Sequence, residues 1–302
     1  MSLLPAPSPT RTLGPGGKVV SSLAWGMWRF TGDDVGAAQG LVEAAFASGI
    51  TLFDTADIYG FDGNVGFGDA EVLLGKIFKA APHLREKMVL ATKGGIMPPR
   101  PYDQSRDYLA SALDASLTRL GVDHVDLWQV HRPDILTHPQ ELARTLENMV
   151  TSGKVGAVGV SNFTAAQVES LHHFLSIPLA SIQPEISALA IDPIESGLLD
   201  QAMRLGTTVL AWSPLGQGRI AHPTTQRELD VADALDAVAT SQGVLRTAAA
   251  YGWLMAHPAG IIPIVGSQQP ARITEAADAY KVQWSRTDWY KVFTASRQEP
   301  LP

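Results

Sequence analysis

The chain has 302 residues, 45% of them hydrophobic and 18% charged, a balance that supports a globular fold with a large core. Its formal net charge of −7 opposes nucleic-acid binding, which needs basic surface to displace counterions. It contains no cysteine, which excludes disulfides, thiolate nucleophiles and thiolate-held metals.

The opening Met1-Ser2-Leu3-Leu4-Pro5-Ala6-Pro7-Ser8-Pro9 alternates prolines, which resist both helix and sheet, so residues 1–10 are expected to be a disordered lead-in. It has neither the basic nor the apolar region of a secretory signal. No apolar run reaches the ~18 residues of a membrane span. Together with the missing cysteines, this leads to an expected cytoplasmic location. Thr12-Leu13-Gly14-Pro15-Gly16-Gly17-Lys18-Val19-Val20 reads as a β-hairpin around a glycine turn, placed to plug one end of the fold. No helix follows it, so it does not read as a phosphate loop.

From Ser21 onward, short apolar runs alternate with longer amphipathic ones. The expected strands are 22–25, 51–53, 88–92, 125–130, 157–160, 181–184, 208–212 and 261–264, all short and continuously apolar, as strands buried on both faces should be. The expected helices are 34–48, 70–78, 107–120, 140–152, 165–175, 197–205, 227–241, 245–256 and 270–279. In the third of these, Leu109, Leu113, Ser116, Leu117 and Leu120 share one face, and Gly121 follows as a terminator. Eight βα units over about 250 residues match a (β/α)₈ barrel. The whole of 1–302 is read as one such domain. An open doubly wound sheet is disfavoured, because Gly26-Met27-Trp28-Arg29-Phe30 after the first strand is no dinucleotide fingerprint.

Four polar residues stand at or just past the ends of three successive strands: Asp54 and Tyr59, Lys93, and His131. Parallel neighbouring strands would bring all four to the C-terminal rim, where sites in such barrels lie. Taken singly, each has a bland reading: a capping aspartate, a rim aromatic, a turn lysine, a loop histidine. Together they form a phenol able to give a proton, an ammonium to tune it, a carboxylate to hold the ammonium, and an imidazole to donate to a substrate oxygen. That set suits reduction of a carbonyl, for which no side chain supplies hydride, so a nicotinamide cofactor is required. The eight histidines form no metal-binding pattern, and no metal is expected.

The stretches Leu52-Phe53-Asp54-Thr55-Ala56-Asp57-Ile58-Tyr59-Gly60, Ala91-Thr92-Lys93-Gly94 and Asp126-Leu127-Trp128-Gln129-Val130-His131 carry these residues. With Gly153 to Phe163 (GKVGAVGVSNF) and Ala211-Trp212-Ser213-Pro214-Leu215-Gly216, they make the chain resemble the aldo-keto reductases, from about residue 12 to 297. Ala81-Pro82-His83-Leu84-Arg85-Glu86 and Thr287-Asp288-Trp289-Tyr290 are similar to a bacterial YdhF-like subgroup. The resemblance implies an eight-stranded barrel that binds NADP(H) and reduces a small-molecule aldehyde or ketone, with Asp54, Tyr59, Lys93 and His131 catalytic. It further implies that Ser161, Asn162 and Gln183 hold the nicotinamide carboxamide and that Trp212 stacks on the ring. Ser213, Leu215 and Gly218 would follow the pyrophosphate, and Gly26, Met27 and Trp28 the nicotinamide ribose or the substrate. Gly266, Ser267, Gln268, Arg272 and Glu275 match the 2′-phosphate and adenine motif. That stretch has no lysine at 266–269, and Ala276 stands where the family commonly has Asn, so phosphate recognition falls to Arg272.

Trp28, Phe30, Phe61, Trp128 and the loop 60–68 are expected to wall an aromatic substrate pocket, with small aromatic or aliphatic aldehydes as first candidates. Two alternatives accompany this reading. One is a Schiff-base aldolase using Lys93, which needs a lysine of lowered pKa. The other is a nicotinamide-binding regulatory subunit with little turnover. The oligomeric state is left open.

Overall fold

Short strands with apolar side chains on both faces cannot stand at a wetted sheet edge, and the chain meets this constraint by closing its sheet on itself. The computed structural model describes residues 3–301. The chain opens with β1 (Thr10–Thr12), β2 (Val19–Ser21), β3 (Ala24–Gly26), α1 (Val35–Ala47), β4 (Leu52–Asp54), α2 (Asp69–Ala80), α3 (Pro82–Lys87) and β5 (Val89–Gly94). It continues through α4 (Arg106–Leu120), β6 (Val125–Val130), α5 (Pro139–Thr151), β7 (Val155–Ser161), α6 (Ala165–Phe174), β8 (Leu179–Gln183) and α7 (Asp192–Glu195). The last third holds α8 (Leu198–Leu205), β9 (Thr208–Ala211), α9 (Gln226–Gln242), α10 (Arg246–Met255), β10 (Ile262–Val265), α11 (Pro270–Ala276) and α12 (Arg286–Arg297). Among the described residues, β3 to β10 form a closed parallel barrel of eight strands. β10 closes it by pairing with both β3 and β9.

The pleat sorts side chains into two layers. Leu52, Ala91, Leu127, Leu210 and Ile262 point inward and pack together in the lower barrel. Their neighbours Phe53, Leu90, Trp128 and Val209 point outward into the layer between strands and helices. Because the side-chain period of a strand is two, this register also fixes which polar groups enter the barrel. Asp54, Lys93 and Gln129 continue the inward rows that begin at Leu52, Ala91 and Leu127.

The expected hairpin is present as β1 and β2, paired antiparallel from Thr10↔Ser21 to Thr12↔Val19. Leu13 and Val20 join the lower barrel core. The Gly14 N–H donates to Thr208 Oγ1 at the start of β9, 2.8 Å away. A Cβ on Gly14 would stand 2.5 Å from the Ala180 Cα, so only glycine allows this approach. The hairpin thus covers the N-terminal end of the barrel.

Three helices have no counterpart in the sequence reading, and a fourth is shorter than expected. α3 and α7 are six and four residues long, too short to show a period. α12 is largely polar, and its buried stripe of Trp289, Val292, Phe293 and Ser296 includes one serine. Trp289 stacks on Trp253 at 4.9 Å, and each indole N–H donates to the other residue's carbonyl. The expected helix 270–279 ends at Ala276 and tightens into a 3₁₀ turn over Ala277–Lys281. The described part of the expected lead-in touches the fold at its start. The Leu4 N–H donates to the Trp284 carbonyl at 2.8 Å, and Leu3 bridges to Ser285. The prolines prevent regular structure there but do not prevent docking. Met1 and Ser2 lie outside the described residues.

Among the described residues, no helix is long and apolar enough to cross a membrane. α2 and α4 meet in close contact at Gly75, where an added Cβ would lie 2.2 Å from the Arg119 carbonyl oxygen. Gly75→Ala is therefore expected to destabilise the fold by about 1–3 kcal/mol through overpacking. Urea unfolding should show a lower midpoint with an unchanged slope. An unshifted midpoint would mean that the helix pair separates at no cost.

Candidate active site

Lys93 ends the inward row of β5 with no exposure to solvent. An ammonium in that position needs an acceptor for each of its three protons. It has them: Asp54 Oδ2 at 2.6 Å, the Thr55 carbonyl at 2.9 Å and Tyr59 Oη at 3.1 Å. The second Asp54 oxygen accepts from Gln183 Nε2 at 2.9 Å and Gln129 Nε2 at 3.3 Å. Gln129 Oε1 in turn accepts from Ser181 Oγ at 3.0 Å. The carboxylate–ammonium pair is thus set in a polar layer contributed by β4, β5, β6 and β8, directly above the apolar barrel core.

His131 follows β6, its N–H donating to the Gly94 carbonyl at 2.9 Å. Its ring lies edge-on to Tyr59, with centroids 5.8 Å apart. Nδ1 is buried without a partner among the described residues, which leaves Nε2 as the nitrogen available at the mouth. The four residues expected to converge therefore do so.

Electrostatics divide the roles. Burial pushes the Tyr59 phenol above its ordinary value, and the nearby Lys93 charge offsets that only in part. The ammonium tunes the phenol downward as expected, but burial outweighs it. Burial also pushes Lys93 down, but Asp54 and Tyr59 together outweigh it and hold the ammonium above its ordinary range. Burial and the charges of Lys93 and Arg132 hold His131 well below its usual value, so the imidazole is neutral near pH 7. The arrangement offers a protonated phenol, a permanent ammonium behind it and a neutral imidazole beside it.

The sequence profile of the Aldo/keto reductase family matches residues 22–295. The chain belongs to this family. A 6-dehydroglucose reductase of Novosphingobium aromaticivorans is 63% identical over the full length of both chains. The oxidoreductase YdhF of Escherichia coli is 33% identical over 96% of this chain and 98% of its own, in line with the expected bacterial subgroup. Among solved structures, a glycerol dehydrogenase from Gluconobacter oxydans superposes with a TM-score of 0.82 at 25% identity, covering 97% of this chain and 98% of that one.

Within this aldo/keto reductase, the residues expected to meet the nicotinamide are tied largely to one another. Ser161 Oγ donates to the Gln183 carbonyl. The Asn162 amide donates to the His131 carbonyl at 3.0 Å and accepts from the Trp212 indole N–H at 3.0 Å. Asn162 and Ser213 adopt φ of 62° and 49°, which turns the chain sharply at the ends of β7 and β9. Space beyond Gly218 and Gly266 is open, with no atom within 4 Å of a built Cβ. At the adenosine end, Gln268 donates to the Gly26 carbonyl, and the Ser267 carbonyl accepts from Trp25. Arg272 and Glu275 are exposed on α11. Trp28, 59% exposed, stands edge-on to Tyr59 at 5.1 Å, and Phe61 packs against Phe67 in the loop 60–68.

Two of the expected pocket residues are corrected. Phe30 is 2% exposed and packs on Trp25, while Trp128 is fully buried and faces the helix layer. Trp128 follows from the pleat, since it alternates with the inward Gln129, whereas Phe30 lies past the end of β3 and is folded back on Trp25 by a turn in which its N–H donates to the Met27 carbonyl. The Met27 side chain is buried as well, leaving its backbone nearest the mouth. The sequence reading passed over Gln129, although it stands in the same inward row as Leu127 and two residues before His131. It also passed over Asp57, whose buried carboxyl has no partner among the described residues. Asp57 lies against Gly94 and near Glu71, which is itself bound to Thr92 and Arg119.

Burial and the Glu71 charge raise the Asp57 carboxyl well above the ordinary carboxylate range. A carboxyl raised by folding contributes its stability below the unfolded pKa and loses it as pH climbs toward the folded value. Asp57→Asn removes that slope. In urea unfolding at about pH 5 and pH 8, its midpoint should gain on wild type at the higher pH. A difference independent of pH would show that Asp57 titrates alike folded and unfolded.

Proposed function

We propose that this chain is an NADP(H)-dependent carbonyl reductase in which Tyr59 is the general acid, acting on a sugar-derived aldehyde of the 6-dehydroglucose kind. The carrying observation is the Tyr59 hydroxyl, 3.1 Å from an ammonium that Asp54 fixes from behind, at the mouth of the barrel. When bound, the cofactor supplies hydride to the carbonyl carbon. Tyr59 hydrogen-bonds the carbonyl oxygen and gives up its proton as negative charge builds there. A phenol above its ordinary pKa is fully protonated at neutral pH, so the acid form is always present. The Lys93 ammonium then stabilises the phenolate that remains. Neutral His131 orients the same oxygen through Nε2.

The residues toward the cofactor fit it. The half-buried Trp212 indole, pinned by Asn162, offers a flat face, and the open backbone at Gly218 and Gly266 leaves room for a pyrophosphate. Arg272 has no carboxylate within ion-pair distance among the described residues and is free to meet a 2′-phosphate. A Schiff-base aldolase fits less well, because Lys93 has all three protons engaged and is held charged. The likeness to a 6-dehydroglucose reductase favours a polyhydroxylated aldehyde over the small aromatic or aliphatic ones that the sequence reading placed first.

The reading is tested by following NADPH oxidation with 6-dehydroglucose and with hexanal. Wild type should prefer the sugar aldehyde, and Tyr59→Phe should lose roughly 10²–10⁴ in reduction rate while keeping its fold and its cofactor affinity. A Tyr59→Phe enzyme within about threefold of wild type, when hydride transfer limits the rate, would sink the general-acid role. Hexanal turned over as efficiently as the sugar aldehyde would sink the substrate class.

Cofactor choice has its own test. Arg272→Ala should weaken NADPH by about 10- to 150-fold, the scale of a lost charge-assisted contact, and leave NADH nearly unchanged in fluorescence titrations. Equal weakening of the two cofactors would instead make Arg272 a structural residue of α11.

A further inference from the structure

The loop leaving β6 brings a second cation to the reaction centre. Arg132 follows His131 directly and is half-buried, with its guanidinium carbon 5.8 Å from the Trp212 ring centroid. Among the described residues no carboxylate lies within ion-pair distance of it, and its side chain makes no hydrogen bond. Other partly buried arginines are provided for. Arg119 holds Glu71, Arg85 holds Asp126, and Arg246 holds Asp236. Asp134, the carboxylate nearest to Arg132 in sequence, is committed elsewhere, accepting from the Gln104 and Leu136 N–H groups and the Thr137 hydroxyl. The Arg132 charge is nonetheless felt at both the Tyr59 phenol and the His131 imidazole, lowering the pKa of each.

A guanidinium carries five donors in a planar fork and matches two neighbouring oxygens better than one. With no protein acceptor among the described residues, those donors are free to exchange solvent for a ligand's oxygens. Tyr59 and His131 fix where the reacting carbonyl oxygen sits. The atoms that come beside Arg132 are then the substituents on the carbons next to the carbonyl.

We propose that Arg132 is a specificity-determining residue that hydrogen-bonds the oxygen substituents on the two carbons following the reacting carbonyl, selecting α-oxygenated aldehydes over plain alkyl ones. This inference rests on the carbonyl-reductase reading and deepens it. A sugar aldehyde presents such oxygens next to its carbonyl, whereas an alkyl aldehyde presents only hydrogen and leaves the guanidinium unmet.

The test compares two aldehydes of equal carbon count, glyceraldehyde and propanal. kcat/KM with NADPH is measured for wild type, Arg132→Leu and Arg132→Lys. The ratio between the two aldehydes cancels any effect of the Arg132 charge on Tyr59 or His131, which acts on both substrates alike. The ratio should fall at least about tenfold in Arg132→Leu, with Arg132→Lys in between because an ammonium can still meet one oxygen. A ratio unchanged in Arg132→Leu overturns the proposal and leaves the reductase reading intact. So does an unchanged ratio accompanied by weaker NADPH binding, which would assign Arg132 to the cofactor. Wild type that reduces neither of these aldehydes nor 6-dehydroglucose overturns the reading and the inference together.

Discussion

A lysine ammonium with no exposure cannot exist in a barrel interior unless every proton has an acceptor and the charge has a counter-charge. Lys93 meets both demands with Asp54, the Thr55 carbonyl and the Tyr59 hydroxyl. Much of the upper barrel serves this one group. Gln129 and Gln183 aim Asp54 from inward positions, Ser181 holds Gln129, and the turn from Asp54 to Tyr59 is drawn in by the ammonium it satisfies. Removing one partner of such a buried pair typically costs about 3–5 kcal/mol, because the other charge is left stranded. The pair is therefore as much a structural commitment as a chemical one.

A second network links the elements around it. Asn162 binds the His131 carbonyl on one side and the Trp212 indole on the other, joining the ends of β6, β7 and β9. The imidazole and the flat indole face are thereby held in fixed relation. A left-handed Asn162 is the local cost of that link, and Asn is among the residues that tolerate it best.

Much of this was legible in the sequence, for identifiable reasons. Continuous apolar strands bounded by glycines gave the barrel. Polar residues at the ends of three successive runs gave Asp54, Tyr59, Lys93 and His131. Inward-facing polar residues inside a strand were harder to see: Gln129 and Ser181 look like ordinary breaks in an apolar run until the register is known. Trp128 illustrates the converse. An aromatic near the mouth in sequence points away from it when the pleat turns it outward. The sign of the Tyr59 shift was also out of reach, since burial and a neighbouring charge oppose each other and only the three-dimensional environment weighs them. The polar α12 hid its buried stripe for lack of a clean apolar period.

The hairpin beneath the barrel has a bearing on how protons travel. With Leu13 and Val20 packed into the lower core, the far end of the barrel is closed by apolar side chains. Lys93 itself meets no solvent, so its protons are not a reservoir in contact with bulk water. In the proposed mechanism, the phenolate left on Tyr59 after a turnover must then recover its proton from the same opening through which substrate enters and alcohol leaves. Resetting the acid and clearing the product become traffic through a single doorway, ordered in time rather than separated in space.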